Sequence, residues 1–75
     1  MKIKDLSIND IYMYNDYGVF SIDKIININH TKLLISVIEI IPITHPLMRI
    51  VHTWSIAEFN QYYRPLTNLE KIKYL

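Results

Sequence analysis

Up to Trp54 the apolar and polar residues alternate with a period near two, and beyond it a helical period takes over. A polar lead-in, residues 7–10, precedes a first predicted strand over residues 11–15. Asn15, Asp16, Tyr17 and Gly18 supply turn residues, and the only glycine sits where a positive φ is needed, so a hairpin is expected. Residues 19–28 alternate, with Phe20, Ile22, Ile26 and Ile28 on one face and Ser21, Asp23, Asn27 and Asn29 on the other. Lys24 and Ile25 break that register and predict a bulge or bend near Asp23. After a turn at 29–32, residues 33–41 form a β-branched run that is apolar on both faces, the pattern of a central strand covered on both sides. Pro42 ends it, residues 43–46 read as a stiff loop, and residues 49–54 read as a fourth strand.

Ser55 and Glu58 then stand three apart, the signature of a capping box, and open a predicted helix over residues 55–63 that Pro65 stops. Ile56, Phe59 and Tyr63 share one stripe of it, and that stripe is expected to be core. Thr67 and Glu70 repeat the signal and predict a short helical tail that turns Leu69 and Ile72 inward. The expected fold is α+β: one domain over residues 1–75, with a four- to five-stranded antiparallel, strongly bent sheet closed or half-closed as a small barrel. The helix would cap one open end. The expected core is Ile11, Met13, Phe20, Ile22, Ile26, Ile35, Val37, Ile50, Trp54, Ile56 and Phe59.

Composition sharpens this picture. A chain of 75 residues buries only about 60–65% of its unfolded surface. With no cysteine it has no disulfide to compensate and no mark of an oxidising compartment. A hydrophobic content of 51% supplies the core instead, and some of that surface is a candidate for a homodimer contact. Leu33 to Ile43 is too short an apolar stretch to span a bilayer, and the start of the chain lacks the apolar region of a signal peptide. A cytoplasmic location is therefore expected. Ile, Asn, Lys and Tyr dominate the composition, as in proteins encoded by AT-rich genomes.

The residues offer little to catalysis. His30, His45 and His52 are the only soft metal ligands, no two of them at helical ligand spacing, so neither a metal nor an organic cofactor is expected. One glycine leaves no phosphate-cradling or oxyanion loop, and Asp10, Asp16 and Asp23 read as turn or solvent-face residues. The chain is expected not to be an enzyme. A net charge of +1 gives no basic stripe, which argues against nucleic acid.

Tyrosine is the richest signal. Tyr12 and Tyr14 alternate with Ile11 and Met13; if the aliphatic face is buried, both tyrosines stand outside, with Tyr17 at the turn beside them. Such a row suits a protein partner or, by stacking, a single strand of nucleic acid; the opposite reading makes the tyrosines the core side. Tyr62 and Arg64 form a second candidate patch. The succession Ile8-Asn9-Asp10-Ile11-Tyr12, then Gly18-Val19-Phe20-Ser21-Ile22, then Trp54-Ser55-Ile56-Ala57-Glu58-Phe59 with Tyr63 and Pro65-Leu66, resembles small bacteriophage-encoded proteins with Src-homology-3-like or KOW-like barrels followed by a short helix. The resemblance implies an accessory phage protein that binds and inhibits or redirects a host protein, such as an effector of a CRISPR-type or other defence system. The alternative is a small barrel associated with single-stranded nucleic acid or transcription.

Overall fold

The computed structural model describes residues 2–41 and 51–75. After a 3-10 turn at Ile3–Asp5 come β1 (Ile11–Asp16), β2 (Val19–Asn29), β3 (Leu34–Ile41), β4 (Val51–Ser55), α1 (Ile56–Tyr62), β5 (Tyr63–Pro65) and α2 (Asn68–Tyr74). The sheet runs β4-β3-β2-β1-β5, every pairing antiparallel. The first four strands are the expected meander, and the fifth returns to pair with the first. The sheet is not a closed barrel, because β4 and β5 are opposite edges of it. The fold is thus the small α+β plan that the alternation predicts, with α1 lying across the sheet from one edge strand to the other. Arg49, Ile50 and His45 lie outside the described residues.

Local chemistry explains most boundaries. Tyr17 (φ 49°) and Gly18 (φ 83°) make a two-residue loop with positive φ at both positions, the pattern of a type I′ turn. That turn matches the twist of the flanking strands, so β1 and β2 zip together from Asp16↔Val19 to Ile11↔Lys24. The β2–β3 register slips twice, between Ile22 and Asp23 and between Ile25 and Asn27, which is the irregularity expected near Asp23. Both capping boxes are formed. Glu58 N donates to Ser55 Oγ at 3.2 Å and Ser55 N to Glu58 Oε1 at 3.1 Å; Glu70 N donates to Thr67 Oγ1 at 3.2 Å and Thr67 N to Glu70 Oε1 at 2.9 Å. The predicted helix is one residue long at its end: Tyr63 caps α1 in an extended conformation and begins β5.

Both faces of β1 are covered. On one face Tyr12, Ile25, Ile35, Val37 and Tyr63 pack with Phe59 of α1 and with Leu6. On the other, Met13, Ile22 and Leu66 form a smaller cluster flanked by Ile11, Ile40, Ile41 and Tyr74. Of the expected core, Met13, Ile22, Ile35, Val37 and Phe59 are buried, while Ile11, Trp54 and Ile56 are half-buried against it. Phe20 is 45% exposed, and Ile25 rather than Ile26 is fully buried, because Ile25 shares the face of Tyr12 and Asp23 that α1 covers. Leu69 and Ile72 do not turn inward: they are 79% and 81% exposed. The side of α2 that meets the body carries Glu70, paired with Arg64, and Tyr74, in contact with the Phe20 ring at 6.4 Å.

Candidate functional site

The register places Tyr12, Tyr14, Asp23, Glu39, His52, Trp54 and Tyr63 on one face of the sheet. α1 covers only part of it. Toward the β1–β2 hairpin the face stays open and forms a recess of ≈ 230 Å³, lined by Tyr14, Val19, Phe20, Ser21, Asp23, Glu39, His52, Trp54 and Tyr63.

At its base lies Asp23, 4% exposed. Ser21 Oγ donates to its Oδ1 at 2.8 Å, and the Tyr63 hydroxyl donates to Oδ2. Burial pushes the Asp23 pKa up, those two donors and the neighbouring His52 pull it back down, and Glu39 adds to the rise. Burial, then the Asp23 carboxylate, push the Tyr63 phenol far above its ordinary value. Asp23 was expected on a solvent face. It is buried because the tyrosine face of β2 is the one under α1 and β5, and it is tolerated there because two hydroxyls satisfy its oxygens.

Around this pair runs a chain of rings. Tyr14 meets Trp54 at 5.8 Å, Tyr62 at 5.8 Å and Tyr63 at 5.3 Å; Trp54 meets Tyr62 at 5.6 Å and His52 at 6.0 Å. Tyr63 stacks on Phe59 at 4.5 Å, interplanar angle 8°, which joins the chain to the core. The Trp54 indole N–H is buried with no acceptor at hydrogen-bond distance among the described residues. The Tyr14 hydroxyl reaches Asp16 Oδ2 at 3.4 Å, and burial followed by that carboxylate raises its pKa.

The five residues singled out from the sequence are therefore dispersed. Tyr12 does not stand outside beside Tyr14: it is buried edge-on against Phe59 at 5.3 Å, 80°, because the tyrosine face is the one α1 covers. Tyr14 and Tyr62 do come together, half-buried and in ring contact. Tyr17, at the hairpin tip, is 102% exposed. Arg64 lies on the opposite face, level with Met13, and its guanidinium grips Glu70 with two bonds of 2.7 Å. That fork holds the Glu70 carboxyl down at about 2. Sequence reasoning missed Asp23, Ser21 and Tyr63 as a unit: Tyr63 is core as expected, but Ser21 and Asp23 were placed on a polar face, and the apolar Ile25 on that same face is the signal that it is covered.

No metal-holding group of His, Asp and Glu occurs among the described residues, and His30 and His52 are far apart in the fold, at the β2–β3 turn and in β4. The Ser21 hydroxyl is spent on a carboxylate rather than on an imidazole, so it is not set up as a nucleophile. No helix among the described residues is long and apolar enough to cross a membrane. Compared with protein-family models, with curated proteins and with solved structures, the chain matches none.

Proposed function

We propose that this chain is a non-enzymatic binding protein that engages a protein partner through the hairpin tip and the ring-lined recess behind it. The observation that carries this reading is Tyr17. It holds a left-handed conformation that suits Asn or Gly, costs a bulky residue on the order of 1–3 kcal/mol, and leaves the ring wholly in solvent. The turn needs that conformation but not that side chain: no ring contact with another described residue repays the choice of Tyr there, and a local rule broken without structural return points to a residue used for contact. Beside it Val19 and Phe20 are exposed, and Tyr14, Trp54 and Tyr62 present a half-buried aromatic surface. Partners anchor on such groups, where rigid area and a polar tip coincide.

That the partner is a host protein, and the chain a phage accessory factor that inhibits or redirects it in the cytoplasm, follows from the likeness of layout to phage-encoded small barrels. The test is affinity capture from bacterial lysates with the tagged chain and its Tyr17→Asn variant. A single protein enriched by the first and lost with the second supports the reading. Equal capture by both removes the hairpin tip from the interface. Capture of nucleic acid that fades steeply with salt replaces the protein partner with a nucleic-acid one.

A further inference from the structure

We propose that the recess receives one cationic side chain, a lysine or an arginine, of the bound partner. This deepens, and rests on, the reading of that face as a protein-binding surface. Size is the first argument: ≈ 230 Å³ is below the roughly 300 Å³ at which small-molecule sites begin, so the recess suits the head of one side chain rather than a whole ligand. Its walls are the second. Tyr14 and Trp54 are inclined at 30° and Trp54 and Tyr63 at 70°, so the rings meet as walls of a hollow instead of closing it by stacking. The faces of such rings carry negative potential and attract cations, Trp most strongly.

Charge is the third argument. Asp23 and Glu39 face each other across β2 and β3 and both line the recess, while among the described residues no Lys or Arg does. Asp23 has two hydroxyl donors but no ion-pair partner among the described residues, and a carboxylate has capacity for more than two donors. A buried carboxylate is ordinarily matched by a cation. An apolar side chain would leave that carboxylate unmatched, and an acidic one would meet two like charges.

The experiment is an NMR titration of the full chain with N-acetyl-lysine methylamide and N-acetyl-arginine methylamide. The neutral norleucine and citrulline analogues serve as shape controls. Expected are saturable shifts at the Trp54 indole N–H and at the backbone amides of Asp23, Glu39 and His52, with the neutral analogues weaker by about tenfold or more, as a partly desolvated cation–π contact implies. Whichever cation binds more tightly identifies the side chain. Glu39→Gln, at the half-buried rim, should weaken the cation several-fold in a chain whose fold is confirmed by circular dichroism. Asp23→Asn should weaken it further if it folds. Neutral analogues binding as well as cations, no response at these four residues, or a cation response unaltered by Glu39→Gln each overturn the proposal. If Tyr17→Asn abolishes partner capture while no cation enters the recess, the recess proposal falls and the partner reading stands. A cation that enters the recess of a chain capturing no partner gives the reverse.

Discussion

Replacing Tyr63 by Phe removes one oxygen from the centre of this protein and leaves the ring that stacks on Phe59 in place. The lost hydroxyl is a donor to Asp23, and both residues are buried. A hydrogen bond to a charged group is worth about 1.5–3 kcal/mol, and that is the expected loss at neutral pH. Against a total stability of roughly 4–11 kcal/mol for a chain of this length, the variant should still fold. Its melting temperature should drop by roughly 6–24 °C, at about 4–8 °C per kcal/mol.

The pH dependence isolates the cause. Burial raises the Asp23 pKa in the folded chain, so the folded state holds that proton more tightly than the unfolded one. The Asp23 contribution to stability is thus fully present below about pH 4, the unfolded value, and declines as pH rises through the folded pKa. Without the Tyr63 donor the folded pKa rises further. The stability gap between the two chains should therefore be larger at pH 7 than at pH 4, shrinking as pH falls through the variant's pKa and then the parent's. Urea unfolding of both proteins at pH 7 and pH 4 measures it. A gap below about 0.5 kcal/mol, or one equal at the two pH values, would refute a hydrogen-bonded buried carboxylate.

Other outcomes follow from single contacts. Tyr17→Asn should stabilise the hairpin by about 1 kcal/mol, because Asn tolerates the left-handed conformation; a loss of stability would mean that Tyr17 makes a contact the structure does not show. Phe59→Ala should cost about 3–5 kcal/mol, the largest loss of any single substitution considered, measured by urea unfolding followed by circular dichroism. Ser55→Ala should cost about 1 kcal/mol by the loss of the α1 cap, measured by thermal melting. The Glu70 carboxyl should titrate near 2 by NMR and move up toward about 4.3 in Arg64→Gln; since its folded pKa is lowered, its support of α2 is present above the unfolded value and lost as pH falls toward 2.

What the sequence determined by itself is what neighbours along the chain determine. Both capping boxes form from residues three apart, the type I′ loop from Tyr17 and Gly18, and the β2 irregularity beside the pair that breaks the alternation. Strand order along the meander follows for the same reason, since short turns leave consecutive strands little choice but to pair. Only tertiary structure decided which faces are covered. Alternation in β1 shows that Tyr12 and Met13 point opposite ways, not which side α1 takes, and here both sides are roofed. β5 has no local signal: Tyr63 to Pro65 is a strand because it meets the free edge of β1. The 3.6-residue period likewise places Leu69 and Ile72 on one side of α2, but the Arg64–Glu70 fork and the Phe20–Tyr74 contact turn that side to solvent. Asp23 joins the two lessons. Its charge and its place near a register break are legible along the chain, but its burial depends on Tyr63, forty residues away. Local pattern fixes the direction of a side chain, and only the partner that arrives from elsewhere fixes whether that direction is inside.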